Sequence, residues 1–249
     1  MKKGVSVIIC CYNSEWIISR CIEALQKQKI SESINWEIIL VNNASTDETE
    51  ITAKNLLCNG NIPYKVIQEN RPGLLYARIC GVKHAQYSYT IFCDDDNLLS
   101  PNYVNGMYRL MENNKNLGAM GGKGIGEYAK TPPPLVLEFA GNYAIGSQKE
   151  HKDFLYGAGI CVRTDILLEL YSHPEKFLLT GRCGNILLAG DDSEMVKKII
   201  LKGYQINSTD NLTFIHVLPE KRLNLSYLIQ MQEGFGISCP VLNLSLIHI

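Results

Sequence analysis

Three consecutive carboxylates, Asp94, Asp95 and Asp96, follow an apolar run at residues 89–93. Like charges this close repel one another, and a divalent cation relieves that repulsion. Carboxylate oxygens are hard ligands that suit Mg²⁺ or Mn²⁺, and either ion would also bind the oxygens of a diphosphate. An acidic turn or helix N-terminus is the alternative, because Asp is common there. The triplet alone leaves both interpretations open.

A second acidic group, Asp191, Asp192 and Glu194, follows Gly190 at the head of a helix predicted over residues 192–201. Asp191 and Glu194 have the spacing of an N-cap residue and its N3 partner, so helix capping explains them without any function. A catalytic role would require a carboxylate that takes the proton of an attacking acceptor hydroxyl. The residues alone favour the capping interpretation.

Further residues could bind a ligand, and each has a structural alternative. His216 ends an apolar run and could ligate a metal, although a single His is more often structural. Arg71 and Arg222 could each meet a phosphate or be ordinary solvated arginines. Gly157 and Gly159 could let a ligand approach the backbone, or could form a strand bulge.

The elements that must position these residues follow from the hydrophobic pattern. Runs rich in β-branched or aromatic residues predict buried strands at residues 5–10, 36–41, 64–68 and 89–93. Amphipathic helices lie between them, and the second begins with a capping box from Ser45 to Glu48. Such βαβ units predict an open α/β fold, with a mostly parallel twisted sheet and helices on both faces.

Polar residues follow all four of these strands. In open α/β sheets, ligands bind beyond the carboxyl ends of the strands. We therefore expect one crevice lined by the residues after the strands, namely Tyr12 and Asn13, Asn42 and Asn43, Asn70 and Arg71, and residues 94–97.

The pattern beyond residue 100 is less regular. Residues 117–120, 155–162 and 212–217 predict strands, and residues 223–231 predict a final helix. The glycines of residues 121–126 and the prolines of residues 132–134 predict a long irregular loop.

Composition limits the class of protein. A chain of 249 residues with 24 basic and 25 acidic side chains can bury one sizeable core, and it lacks the positive charge of a general nucleic-acid binder. Its nine cysteines form no Cys-x-x-Cys pair, and we interpret them as reduced packing residues. No run approaches the ~18 apolar residues of a membrane span. We expect a cytoplasmic protein, with peripheral attachment to the inner face of the membrane left open.

In order and spacing, these motifs resemble family 2 of the glycosyltransferases, whose members have the GT-A fold, a Rossmann-like α/β fold. The resemblance covers roughly residues 5–231. It rests on VSVIICCYN at 5–13, EIILVNNASTD at 37–47, Arg71-Pro72-Gly73 with Ala77-Arg78, the Asp94-Asp95-Asp96 triplet, and GDDSE at 190–194.

The resemblance implies a role for particular residues. Asp96 and Asp94 match the outer carboxylates of the family's Asp-x-Asp motif and, with His216, would hold Mn²⁺ or Mg²⁺. Asp192 matches the catalytic base, and Asp191 takes the place of the acidic residue that usually precedes it. The implied substrate-binding residues are Tyr12, Asn13, Asn42, Asn43, Ser45, Arg71, Arg78, Asp94, Asp95, Gly159 and Glu194.

The implied reaction is a metal-dependent, inverting transfer of a sugar from a nucleoside-diphosphate sugar to a hydroxyl of a glycan or lipid-linked acceptor. A UDP-sugar is favoured, although Asn42 stands where many relatives have an aspartate, which makes the base less certain. One alternative is a sugar nucleotidyltransferase, which would need a glycine-rich loop that residues 11–15 lack. The other is a nucleotide-sugar-binding protein without activity. The oligomeric state stays open.

The same resemblance implies a division of the chain. We expect a single GT-A domain over residues 1–238, with a nucleotide-binding half at 1–100 and an acceptor-binding, catalytic half at 101–238. Residues 239–249 continue no recognisable motif, and we interpret them as a candidate truncated or non-native tail.

Overall fold

Eight strands form one mixed sheet in the computed structural model, which describes residues 1–181 and 189–247. Across the sheet their order is β3-β2-β1-β4-β7-β6-β8-β5, where the strands are β1 (Lys2–Cys11), β2 (Trp36–Asn42), β3 (Tyr64–Gln68), β4 (Tyr87–Asp94), β5 (Asn97–Leu99), β6 (Leu117–Tyr128), β7 (Cys161–Arg163) and β8 (Gln205–Leu218). Four neighbouring pairs are parallel and three are antiparallel. The predicted α/β fold with a mostly parallel sheet is confirmed.

Helices cover both faces of this sheet, as predicted. Buried side chains of α1, α2 and α4 pack on one face, and those of α3, α6 and α7 pack on the other. The helices are α1 (Ile18–Gln26), α2 (Thr49–Leu57), α3 (Leu74–His84), α4 (Tyr103–Asn113), α5 (Pro134–Glu138), α6 (Thr164–Tyr171), α7 (Asp191–Leu201) and α8 (Leu225–Ile247).

Strand β1 shows why the central strands are apolar at successive positions. Val7 and Ile9 point to the face covered by α1, whereas Ile8 points to the face covered by α3, because side chains alternate along a strand. A strand that is buried on both faces therefore needs apolar residues throughout.

A smaller cluster holds the last helix against the main body. Val136 of α5, Leu218 at the end of β8, and Leu228 and Met231 of α8 are all buried together. Residues 239–247, expected as a separate tail, continue α8, and their interpretation as a truncated or non-native end stays a prediction. Within the described ranges, no helix is both long and apolar enough to cross a bilayer.

The loop predicted from the glycines of residues 121–126 is wrong, because these residues lie within strand β6. Their amide groups pair with β8, and the chain passes so close to its neighbours that side chains do not fit. A Cβ atom at Gly124 would collide with the carbonyl oxygen of Ala144, and one at Gly122 with the Tyr103 ring. These glycines therefore mark close packing and not a turn.

Two other local predictions need correction. The strand predicted over residues 155–162 was expected to be broken by Gly157 and Gly159, and only its last two residues belong to a strand. Gly159 adopts φ +71°, and its amide donates to the Phe92 carbonyl. The capping box from Ser45 to Glu48 is absent. Instead, α2 begins at Thr49, whose amide and hydroxyl both donate to the Asp47 carboxylate.

Candidate functional site

A cavity of about 1660 Å³ opens at the carboxyl ends of the parallel strands. One wall, which we call the strand-end wall, consists of residues 10–13, Asn43, 72–74, 77–78 and 94–96. The opposite wall comes from residues 141–158, the start of α7, and the chain from His216 into α8. The polar residues after β1, β2 and β4 thus converge as predicted, whereas Asn70, Arg71 and Asn97 do not line the cavity, and after β3 Pro72 and Gly73 do. Both halves of the chain contribute to the cavity.

The loop after β1 is tied to the loop after β2. Asn13 adopts φ +51°, its amide donates to the Ser45 hydroxyl, and its side-chain oxygen accepts from the Thr46 amide at 2.8 Å. The neighbouring Tyr12 leaves 51% of its surface exposed at the cavity. An aromatic ring held on a fixed loop offers a surface on which a nucleobase can stack.

Asn43 joins a third strand end to this wall. Its side-chain amide donates to the Arg71 carbonyl at 2.7 Å, and its side-chain oxygen accepts from the Gly73 amide at 2.8 Å. Both partners lie in the loop that leads from β3 into α3. Asn43 therefore fixes the shape of the strand-end wall.

The carboxylate triplet lies at the centre of the strand-end wall. Asp95 accepts a hydrogen bond from the Ser14 hydroxyl. Burial, with the nearby charges of Asp96 and Asp94, raises the Asp95 pKa to about 7, despite the opposing effects of Ser14 and Arg222. The triplet therefore concentrates negative charge at a partly desolvated site, and a bound cation would stabilise that charge.

Asp96 is only 3% exposed and faces two basic side chains. Arg222 Nη1 donates to its Oδ2 atom at 2.8 Å, and Asn97 donates to its Oδ1 atom at 3.2 Å. His216 Nε2 lies 3.4 Å from the same Oδ1 atom. Strand pairing fixes this geometry, because Asn97 of β5 is directly opposite His216 of β8.

The tautomer of His216 follows from its other ring nitrogen. Nδ1 lies 2.6 Å from the Tyr143 carbonyl oxygen, which can only accept, so Nδ1 carries a proton. In the neutral ring, Nε2 then presents a lone pair toward Asp96. Two acceptors at this distance require a proton or a metal ion between them, and a carbonyl on the far nitrogen is the usual support of a metal-binding His.

The second acidic group does not cap its helix in the predicted way. Gly190, with φ +99°, is the N-cap residue of α7, and Asp191 lies inside the first turn. The Glu194 carboxylate accepts hydrogen bonds from the amides of Leu178 and Leu179, and does not reach back to the N-cap. The capping interpretation of Asp191 and Glu194 is therefore wrong.

Asp191 and Asp192 have different environments. Asp191 is buried and paired with Arg78 Nη1 at 2.6 Å, and burial raises its pKa to about 6, with Arg78 opposing the rise. Asp192 is half-buried, and its Oδ2 atom accepts from the Gly157 amide at 2.9 Å. Both carboxylates line the cavity, but Asp192 is the more exposed of the two and has no basic partner as close as Arg78 is to Asp191.

Arg78 connects the two acidic groups. It is 3% exposed, packs 5.1 Å from the centre of the Phe92 ring, and pairs with Asp191. Burial disfavours its charge, but Asp191 and the neighbouring Asp94 and Asp192 more than offset this, so its pKa is raised. Helix α3 of the first half is thereby fixed to helix α7 of the second.

Five predicted binding residues lie outside the cavity wall, namely Asn42, Ser45, Arg71, Gly159 and Glu194. The Asn42 amide donates to Glu50 and Gln68 at 2.9 Å each. Ser45 accepts from the Asn13 amide at 3.0 Å. These two residues support the loops that follow β1 and β2, without lining the cavity themselves.

The other three also have structural partners. Arg71 forms two hydrogen bonds with the Glu69 carboxylate and lies over the Tyr76 ring. Gly159 is packed under Tyr103, whose hydroxyl donates to its carbonyl at 2.8 Å. Glu194 is held by its two amide donors. We therefore expect these residues to shape the site without touching substrate.

Several cavity residues were not predicted from sequence. They include the aromatic residues Tyr143, His151, Phe154, Tyr156, Tyr227 and Phe235. Gly157 was singled out as a site of close ligand approach, but not as the donor that holds Asp192. The concentration of aromatic residues in the irregular segment after residue 138 was a usable signal, because aromatic side chains in loops often mark binding surfaces.

The chain is similar to known proteins in both sequence and structure. Residues 6–168 match the sequence model of the family described as Glycosyl transferase family 2. Glycosyltransferase GlyG of Streptococcus pneumoniae is 28% identical over 112 residues, which are 45% of this chain and 36% of GlyG. The matched segment spans about a third of the length of such curated relatives.

Two solved structures share the fold. S. aureus TarS 1–349 in complex with UDP-GlcNAc superposes with a TM-score of 0.63 at 18% identity, covering 87% of this chain and 59% of that one. The mannosyltransferase PcManGT from Pyrobaculum calidifontis, in complex with GDP-Man and Mn²⁺, gives a TM-score of 0.66 at 16% identity, covering 90% and 59%. At these identities the likeness concerns the fold.

Proposed function

Because the chain belongs to glycosyl transferase family 2, as its sequence suggested, we propose that it is a metal-dependent, inverting glycosyltransferase. The donor is a nucleoside-diphosphate sugar, and the acceptor is a hydroxyl of a glycan or lipid-linked glycan. UDP is the favoured nucleotide. TarS binds UDP-GlcNAc and PcManGT binds GDP-Man, so these two nucleotides are the first to compare.

One observation carries this proposal: two acidic groups from different halves of the chain line a single cavity. The Asp94-Asp95-Asp96 triplet stands on the strand-end wall, and Asp192 stands on the opposite wall. A donor held by its diphosphate at the triplet would direct its sugar toward Asp192. The acceptor hydroxyl then lies between the sugar and a base, as a single displacement requires.

The residues at the triplet fit Mn²⁺ or Mg²⁺. Among the described residues, no three His, Cys, Asp or Glu side chains already form a complete metal site. Such a site is not needed, because Mg²⁺ is usually bound by one or two carboxylates together with substrate phosphates. Asp96 and Asp94 would supply the carboxylates, and His216 Nε2 has the orientation of a further ligand. When bound, the ion would stabilise the charge of the departing diphosphate.

The chain's own groups account for the remaining steps. Asp192 takes the proton of the acceptor hydroxyl while that oxygen forms a bond to the anomeric carbon. The bond from that carbon to the diphosphate oxygen breaks at the same time, which inverts the configuration and releases the nucleoside diphosphate. The Gly157 amide donates to Asp192 Oδ2 at 2.9 Å and the Ser193 amide donates to Oδ1 at 2.8 Å, so both oxygens of the proposed base are fixed in position and each keeps a second lone pair.

Asp191 serves as a positioning residue in this scheme. Its carboxylate is engaged by Arg78 at 2.6 Å, which keeps it from an acceptor hydroxyl. Arg222 pairs with Asp96 and lies beside the proposed diphosphate position. Its guanidinium can turn from the carboxylate to a phosphate oxygen, a ligand with the same geometry.

The test of the base is Asp192→Asn. We expect a loss of transfer of roughly 10²- to 10⁴-fold, because the amide cannot accept a proton. Nucleotide affinity, measured by calorimetry with UDP and Mn²⁺, should change little. Asp165→Asn is the matched control, since Asp165 also lies in a first helical turn but outside the cavity. Activity that survives in Asp192→Asn but is lost in Asp191→Asn would assign the base to Asp191 instead.

We further propose that residues 1–238 act as one domain, since both halves contribute strands to the sheet and residues to the cavity. Peripheral membrane attachment and a cytoplasmic location stay predictions, as does the lack of nucleic-acid binding. The nucleotidyltransferase alternative is less well supported, because residues 11–15, where its glycine-rich loop would lie, contain no glycine.

A further inference from the structure

Aromatic side chains are distributed unequally around the cavity. On the strand-end wall, Tyr12 is the one aromatic residue among the described residues that line it. The opposite wall has four half-buried aromatic side chains, which we call the aromatic wall: His151, Phe154, Tyr227 and Phe235. The proposed reaction as described above uses none of them.

The aromatic wall is rigid before any ligand binds. His151 and Phe154 stack with ring centres 3.9 Å apart and planes at 27°. Tyr227 stacks on the buried Tyr143 at 6.2 Å and 26°. Tyr156 packs its edge against His151 at 5.5 Å. Rings fixed in this way lose little conformational freedom on binding.

The aromatic wall is connected to both groups that the reaction needs. On one side, the chain passes from Tyr156 directly to Gly157, whose amide holds Asp192. On the other side, the Tyr143 carbonyl binds His216 Nδ1, and His216 lies 3.4 Å from Asp96. A molecule resting on the aromatic wall is therefore beside the proposed base and the proposed diphosphate position.

We propose that the aromatic wall is the acceptor subsite and that it binds a pyranose ring of the glycan acceptor by stacking. This inference rests on the proposed function. The C–H groups on one face of a pyranose are weakly positive and apolar, and they pack on the negative face of an aromatic ring. Gln230 and Glu233 of α8 also line the cavity and offer hydrogen-bonding groups to the sugar hydroxyls.

Stacking of the donor's nucleobase is a less suitable use of these rings. The base is expected beside Tyr12, on the wall that is built from strand ends. The aromatic wall instead lies beside Asp192, the group that must meet the acceptor hydroxyl. Its position therefore suits the acceptor rather than the donor.

Saturation-transfer NMR on the full chain with UDP and Mn²⁺ tests the inference. The probes are methyl pyranosides of glucose, galactose, mannose and N-acetylglucosamine, as both anomers. We expect at least one glycoside to receive saturation, mainly at the C–H protons of one ring face. Phe154→Ala and Tyr227→Ala should each weaken its binding by about five- to tenfold.

Controls separate this inference from the function on which it rests. Tyr64→Ala, which removes an exposed ring from the outer strand β3, should leave glycoside binding unchanged. The UDP signals, recorded in the same samples, should persist in all variants. UDP bound without saturation of any glycoside, or glycoside binding unchanged in both wall variants, overturns the acceptor subsite. Absence of binding by UDP and by GDP overturns the proposed function and this inference together.

Discussion

Arg78→Met gives the sharpest test of how the two acidic groups are held. The substitution keeps an apolar side chain beside Phe92 but leaves Asp191 without its partner at 2.6 Å. Asp191 already has a pKa raised to about 6 by burial, and loss of Arg78 must raise it further. Buried carboxyl groups reach pKa values of roughly 8.

The expected magnitude follows from linkage. A raised pKa means that the native state binds more protons than the unfolded state, so stability falls as the pH rises toward that pKa. In the wild type, the loss of stability that Asp191 causes with rising pH ends near pH 6. In the Arg78→Met variant, this loss continues to about pH 8. At about 1.4 kcal/mol per pH unit, the gap in unfolding free energy widens by about 3 kcal/mol between pH 6 and pH 8.

Urea unfolding at pH 5, 6, 7 and 8, followed by tryptophan fluorescence, measures this gap. Arg20→Met is the matched control, because it breaks an exposed ion pair with Glu127 and should cost at most about 1 kcal/mol at every pH. The double variant Arg78→Met with Asp191→Asn should lose most of the pH dependence. A gap that stays constant or narrows between pH 6 and pH 8 would refute the reasoning.

Three further outcomes are expected. Excess chelator should abolish transfer, and undiminished turnover with chelator would contradict the metal assignment. His216→Ala should weaken Mn²⁺ binding at least about tenfold, as measured by an EPR titration. UDP with Mn²⁺ should raise the melting temperature more than GDP with Mn²⁺, and the reverse order would identify a GDP-sugar donor. Gly124→Ala should lower stability by about 1–3 kcal/mol in urea unfolding, because its Cβ collides with the Ala144 carbonyl; wild-type stability would show that the backbone can move away.

The sequence predicted the first four strands well because the evidence for them is local. Each strand of the first half contains a short apolar run, and polar residues end it or follow it directly in the chain. Burial on both sheet faces makes the pattern continuous and hard to misread. The position of the carboxylate triplet, at the end of β4, follows from the same pattern.

Predictions failed where the deciding contact is distant in sequence. The glycines of β6 looked like a loop because Tyr103 and Ala144, which exclude side chains there, cannot be inferred from neighbouring residues. Asp191 looked like a helix cap because its partner, Arg78, is 113 residues away. Asn42 looked like a binding residue because its position was known but the direction of its side chain, toward Glu50 and Gln68, was not.

The site is built from two kinds of scaffold, and this has an evolutionary consequence. Asp96 and His216 are set by the pairing of β5 with β8, where an inserted or deleted residue would shift the register and separate them. The aromatic wall stands on an irregular segment and on the outer helix α8, which tolerate changes in length and composition far better. The proposed acceptor subsite can therefore diverge among descendants of this chain while the pairing that sets the proposed metal ligands is retained.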